Sequence, residues 1–157
     1  MGKVLEGSLD GTGRRVAIAA SRFNRLVTDL LVAGAAEALR RHGVAEADVD
    51  VAWAPGSFEL PLVAARLAAT GRYAGVVALG AVVRGETAHF DHVAGQAASG
   101  LAAVARSSGV PVAFGVLTTD TMAQALDRAG GKAGNKGAEA ALGVLEMAGL
   151  LEAIDKG

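Results

Sequence analysis

Arg84-Gly85-Glu86-Thr87-Ala88-His89-Phe90-Asp91 is the stretch of this chain richest in groups that could do chemistry. Gly85 lets the backbone approach a ligand closely. The N–H groups of Glu86 and Thr87, read as the head of a helix, favour an anion such as phosphate. His89 follows within a turn, and imidazole exchanges its proton near neutral pH, which suits proton transfer. A lone histidine is more often structural or solvated. His92 stands three residues further on, but no third ligand has a spacing that would complete a metal site, so no metal is expected.

Three further clusters carry functional side chains. Ser21-Arg22-Phe23-Asn24 sets a phenylalanine among polar neighbours, where it either staples onto Val27 or offers a stacking platform for a planar heterocycle. Gly56-Ser57-Phe58-Glu59 joins backbone donors, a hydroxyl and a carboxylate, a set that suits a polyhydroxylated ligand; taken alone it reads as a helix N-cap box. Arg128 and Lys136 flank the glycine-rich Ala129–Asn135, and either cation alone reads as solvated. Neither glycine-rich region fits a Walker loop or a strand-linked G-x-G-x-x-G, and there is no nucleophile elbow. Nucleotide-dependent phosphotransfer and nicotinamide chemistry therefore lose ground, and no cofactor is expected. The residues by themselves describe a protein that binds a planar polyhydroxylated ligand and a phosphate, with a histidine for proton transfer.

The elements that must position these groups alternate in type. Arg15–Ala20, Val49–Ala54, Ala74–Val83 and Val110–Leu117 read as strands. Between them run segments of helical period. The first carries Val27, Leu31, Ala35 and Ala38, with Asn24 as its expected cap and Gly43 as its stop. The second carries Leu60, Val63, Ala64 and Leu67, with Ser57 as cap, Pro61 in its first turns and Gly71 at its end. A third helix follows Thr87, a short one follows the start cluster Thr118-Thr119-Asp120, and a last one covers about Ala138–Ile154. This order predicts a right-handed, doubly wound, parallel four-stranded sheet covered on both sides. The functional clusters fall at its carboxyl ends, where such sheets bind ligands.

The 157 residues contain no cysteine, which removes disulfides, thiolate metal sites and cysteine nucleophiles. Fifteen Lys+Arg against sixteen Asp+Glu, with no basic block, argue against nucleic acid. The longest apolar runs are too short to span a bilayer at ~20 residues, and the first dozen residues lack a signal-peptide core, so a cytoplasmic protein without a membrane partner is expected. Residues 14–157 read as one domain and residues 1–13 as a polar arm, either loose or docked on a neighbouring subunit. A mean hydropathy of +0.38 favours apolar surface covered by partner subunits.

The blocks Ser21–Asn24, Pro55–Pro61, Gly80–Asp91 and Arg128–Gly137, in this order, closely resemble the 6,7-dimethyl-8-ribityllumazine synthase family. The likeness runs over about Val16–Leu145. Val83 stands where isoleucine is common, and Glu86 sits at a variable position. The resemblance implies a flavodoxin-like three-layer α/β/α fold and the penultimate step of riboflavin biosynthesis. In that step 5-amino-6-(D-ribitylamino)uracil condenses with 3,4-dihydroxy-2-butanone 4-phosphate, releasing phosphate and water. It further implies that Phe23 stacks on the pyrimidine, and that Ser57, Phe58 and Glu59 hold the ribityl chain and adjoining ring atoms. The backbone of Ala81, Val82 and Val83 would read the pyrimidine edge. Gly85, Glu86 and Thr87 would cradle phosphate with Arg128 and Lys136, and His89 would move protons. Phe114, together with Arg128, would reach the site of an adjacent subunit. The family's ring is a pentamer, and some members pack twelve pentamers into a sixty-subunit shell; the compact Gly131–Gly137 connection is of the shell-forming kind. Riboflavin synthase is the implied partner enzyme. A non-catalytic lumazine- or flavin-binding protein, or a purely structural shell protein, is the alternative on the same scaffold.

Overall fold

The computed structural model describes residues 1–157. Strands β1 (Val16–Ser21), β2 (Val49–Ala54), β3 (Gly75–Val83) and β4 (Val112–Thr119) form one sheet in the order β2-β1-β3-β4. All of its pairings are parallel, with Ala19 facing Ala52 on one side and Ala78 on the other, and Ala81 facing Leu117. Helices α1 (Arg25–Arg41) and α5 (Lys136–Lys156) cover one face, while α2 (Leu60–Ala69) and α3 (His89–Ser108) cover the other. A short α4 (Met122–Asp127) follows β4. The result is the expected flavodoxin-like three-layer α/β/α arrangement, with no helix long and apolar enough to cross a membrane.

Because side chains alternate along a strand, each central strand feeds both faces. Val16, Ile18, Val77 and Leu79 enter the α1/α5 core with Val27, Leu31, Leu39 and Leu145. Ala17, Ala19, Val76 and Ala78 enter the α2/α3 core with Leu60, Ala64, Leu101 and Val104. Double-sided burial explains why these strands read as continuous apolar runs. The aliphatic cores also explain how so few aromatic residues suffice.

Several local expectations shift. β1 runs one residue later than Arg15–Ala20, β3 starts at Gly75, and β4 covers Val112–Thr119 instead of Val110–Leu117. Thr118 and Thr119 thus belong to the strand. The α4 start is made by Thr121, whose hydroxyl accepts from the Gln124 N–H while Gln124 Oε1 accepts from the Thr121 N–H. That reciprocal pair is a capping box. Ser57 does not cap α2: it opens a 3-10 turn (Ser57–Glu59), Glu59 takes the cap position, and the Ser57 side chain is buried. The last helix begins at Lys136, earlier than the expected Ala138, because Asn135 caps it by accepting from the Ala138 N–H at 3.1 Å.

The glycine-rich link is an ordered antiparallel hairpin, β5 (Ala129–Gly131) with β6 (Gly134–Asn135). Its anchor is the Asn135 amide, which also donates to the Leu30 carbonyl of α1 at 3.1 Å. Gly34 leaves the room that this amide fills, and Gly137 lies directly against the Leu31 backbone. The two helices therefore touch through glycine and one asparagine, which fixes where the hairpin sits. The N-terminal residues lie along α5 of the same chain: Arg14 forms a paired contact with Glu152 at 2.8 and 3.2 Å, Lys3 donates to the Gly157 carbonyl, and Gly7 packs on the Glu146 backbone.

A methyl group at position 137 would lie inside contact distance of the Leu31 carbonyl oxygen, which is backbone and cannot swing away. Gly137→Ala is expected to lower stability by about 1–3 kcal/mol, as overpacking does. Urea unfolding at fixed protein concentration measures it, and an unshifted midpoint would contradict the contact.

Candidate active site

The strand order reverses between β1 and β3, so a crevice opens where the loops after these two strands diverge. The loop after β1 is shaped by Asn24, which has φ 62 and is the one residue other than glycine with positive φ. It occupies the cap position of α1, but its side chain makes no cap. Instead Nδ2 donates to the Ala81 carbonyl of β3 at 2.8 Å, while its own carbonyl accepts from the Val27 and Thr28 N–H groups. The side chain expected as a cap is a latch across the crevice. Arg22 and Phe23 donate backbone N–H groups to the Ala54 and Pro55 carbonyls at 2.7 and 3.1 Å, so the loop is also tied to the end of β2. Held in this way, Phe23 is 70% exposed, which excludes its staple role on Val27 and leaves its ring free to stack.

Beside it, the Ser57 and Ser21 hydroxyls converge over Gly80: a Cβ there would lie 2.5 Å from one and 3.1 Å from the other. Gly80 is thus the position at which β3 gives up a side chain so that Ser57 can enter the crevice floor. On the far wall, α3 starts at His89, one turn later than the expected helix head, so Glu86 and Thr87 lie in the approach loop. The Thr87 hydroxyl accepts from the His89 N–H at 3.3 Å. Arg84 does not face a ligand. Its Nε donates to Asp120 at 2.8 Å, its guanidinium lies 3.7 Å from Asp91, and it stacks over Phe90 at 4.4 Å. The hydrogen bond to Asp120 raises the Arg84 pKa above its ordinary value. This cation ties the ends of β3 and β4 to the first turn of α3.

The walls enclose two adjoining spaces. An inner cleft of about 230 Å³ is lined by Asn24, Ala81, Val82, Val83, Gly85 and Thr87. An outer trough of about 530 Å³ is lined by Pro55, Gly56, Phe58, Glu59 and His92. Phe23, Ser57, His89 and Val93 border both, so His89 stands at their junction. Nine of the expected site residues converge here from one chain, besides Gly85. Glu86 is exposed and lines neither space. No three His, Asp or Glu side chains converge to hold a metal ion.

Phe114, Arg128 and Lys136 lie elsewhere. They border a third space of about 410 Å³ with Thr118, Thr119 and Glu139, and this space shares no residue with the crevice. Phe114 lies opposite Ala78 on the edge strand β4 and is 40% exposed. Arg128 donates to the Gln124 carbonyl at 2.9 Å, and Lys136 N–H donates to the Arg128 carbonyl at 2.8 Å, so the hairpin sets the two cations side by side. One chain thus carries a histidine-bearing crevice at its switch point and a cation-bearing cleft at its sheet edge.

The sequence model of the 6,7-dimethyl-8-ribityllumazine synthase family matches residues 13–152. This chain belongs to that family. It is 60% identical to the 6,7-dimethyl-8-ribityllumazine synthase of Anaeromyxobacter dehalogenans (strain 2CP-C) over 151 residues, covering 96% of this chain and 93% of the relative. It is 59% identical, with the same coverage, to the enzyme of the same name from Anaeromyxobacter sp. (strain K). Against the family resemblance, the structure adds residues that the motifs alone did not assign: Asn24 as a latch, Asn135 as the hairpin anchor, Arg84 as a structural tie and His92 on the trough wall. Only Asn24 carried a sequence signal, since asparagine is among the few residues that tolerate left-handed backbone.

Replacing Asn24 separates backbone from side chain. Asn24→Gly loses one hydrogen bond and is expected to cost about 1 kcal/mol, whereas Asn24→Ala also strains the left-handed turn and is expected to cost about 2 kcal/mol. Denaturation midpoints measure both, and equal losses would show that the φ of Asn24 carries no strain.

Proposed function

We infer that this chain catalyses the condensation of 5-amino-6-(D-ribitylamino)uracil with 3,4-dihydroxy-2-butanone 4-phosphate to 6,7-dimethyl-8-ribityllumazine, phosphate and water, in the riboflavin pathway. The observation that supports the site assignment is the pairing of an exposed aromatic, Phe23, with His89 around one crevice that Gly85 and Thr87 also border. Phe23 stacks on the pyrimidine, Ser57, Phe58 and Glu59 take the ribityl chain, and the backbone of Ala81, Val82 and Val83 meets the ring edge. Gly85, Glu86 and Thr87 form the phosphate loop. His89, at the junction of cleft and trough, carries protons for imine formation and phosphate elimination. Both reactants are intrinsically reactive, so holding amine and ketone in register supplies much of the acceleration.

The crevice has no arginine or lysine on its walls, although phosphate calls for one. Arg128 and Lys136 are on the same chain but around the sheet edge. A head-to-tail contact that brings the edge cleft of one subunit to the crevice of the next supplies both cations and Phe114. Such a heterologous contact closes into a ring. We assign a pentameric ring, with twelve rings packed into a sixty-subunit shell in the cytoplasm, riboflavin synthase as partner enzyme, and a 1–13 arm that packs on α5 of its own chain and meets a neighbour with its outer side. The compact β5–β6 hairpin supports the shell, since Asn135 draws it onto α1 and nothing splays outward there.

Mixing the two substrates and following lumazine absorbance tests the reaction, and a protein that binds lumazine without forming it would overturn it. His89→Ala is expected to lower kcat by ~10²-fold, the size of a general acid–base contribution. Arg128→Ala is expected to raise KM for the butanone phosphate and leave KM for the amine in place. Analytical ultracentrifugation is expected to show a particle near sixty times 15.6 kDa at physiological pH. A single five-subunit species at every concentration would exclude the shell.

A further inference from the structure

His92 is the one ionisable side chain on the trough wall to which neither the family resemblance nor the proposed reaction gives a task. It stands one turn beyond His89 on α3, and with His89 and Val93 it presents the i, i+3, i+4 positions of one helix face to the outer trough. The opposite wall comes from the 3-10 turn, with Ser57, Phe58 and Glu59. The His92 imidazole has no hydrogen-bond or ion-pair partner within the chain; the residue's backbone N–H donates to the Ala88 carbonyl. Neither is the Glu59 carboxylate committed to any donor in the chain. The inner cleft does not reach His92: it is bordered by the β3 backbone, the phosphate loop and His89 alone of the histidines. His89 borders both cleft and trough, so His92 lies one helical turn from it on the trough side, the side left for a long chain if bond making and phosphate loss occur at His89. A polyol offers each hydroxyl as donor and acceptor. A carboxylate accepts, and an imidazole both donates and accepts, so the two walls present complementary partners to one hydroxylated chain.

We propose that His92 is a specificity-determining ligand of the polyol chain of the amine substrate, acting from α3 across the trough from Glu59; this rests on the proposed reaction. It moves no proton in the chemical steps. A hydrogen bond made equally in the ground and transition states changes KM and leaves kcat alone.

The test uses the assembled enzyme, both natural substrates, and an analogue amine whose side chain is a plain alkyl chain without hydroxyls. Product formation by the unaltered enzyme checks the reaction first, so failure there strikes the proposed function and not His92. His92→Ala is expected to raise KM for the ribitylamino substrate about tenfold, with kcat and KM for the butanone phosphate within twofold of the unaltered enzyme. With the alkyl analogue, variant and unaltered enzyme should have equal KM. His92→Gln, which keeps a donor and an acceptor, should restore most of the loss. Sedimentation of both variants should match that of the unaltered particle. A fall in kcat with KM unmoved, an equal KM loss on the alkyl analogue, or no change in any constant would overturn the proposal.

Discussion

The reversal of strand order between β1 and β3 is the constraint from which the rest of this site follows. Two parallel strands whose connections leave in opposite directions cannot close the space above their carboxyl ends, so a crevice is a product of topology and not of any one residue. Topology alone leaves its width undefined. Asn24 defines it, since a left-handed turn aims the chain back over the sheet and the side chain grips Ala81 on the neighbouring strand. Phe23 is then displayed, because the residue after it is committed. The exposure of a large ring at this point follows from that commitment, and the hydrophobic effect acting on Phe23 alone would have drawn it onto Val27.

The same strand order puts β4 at an edge, and this separates the charges that phosphate chemistry needs. α3 covers one face of the sheet and α5 the other, and Phe114, Arg128 and Lys136 border a cleft along β4 that shares no residue with the crevice. Arg128 and Lys136 are held by backbone contacts of a hairpin whose position depends on Asn135 and on two glycines that let α5 approach α1. The Arg128 guanidinium is held as well, by the Gln124 carbonyl at 2.9 Å, while the Lys136 side chain forms no hydrogen bond or ion pair within the chain. Concentrating positive charge in the crevice of a single chain would also bind phosphate in an isolated subunit. Placing it at the edge leaves the crevice of one chain without a cation on its walls.

The sequence was legible where burial is two-sided and periodic. Ala74–Val83 matches β3 except for its first residue, because a continuous apolar run leaves few other choices, and the half-buried edge strand β2 matches Val49–Ala54 residue for residue because Pro55-Gly56 marks its end. It was least legible at strand-to-helix turns. Asn24, Ser57 and the Thr118–Asp120 cluster all look like caps, since short polar side chains at helix starts have that role by default. The structure spends two of them on tertiary contacts, Asn24 on Ala81 and Ser57 on the space over Gly80, and moves the third cap to Thr121. The hairpin at 129–135 escaped notice for another reason: its pairing is set by one asparagine that bonds to a helix a hundred residues away. Local pattern carries no record of such a partner. The motif residues were legible as a set, yet their division between two clefts was not, because it depends on which strand takes the edge.

That division bears on how the chemistry is distributed. Within a chain the His89 imidazole has no hydrogen-bond partner, and its placement comes from the helix start and the Thr87 hydroxyl that accepts from its backbone N–H. The crevice instead invests in rigid placement: a latched turn, a glycine floor, and an arginine that ties two strand ends to a helix through Asp120 and Asp91. A condensation between reactive partners needs this most, since the barrier it faces is largely that of bringing two molecules together in one orientation. Within the chain that orientation is held by backbone and side-chain contacts between strands that are distant in sequence, Asn24 to Ala81 and Arg84 to Asp120.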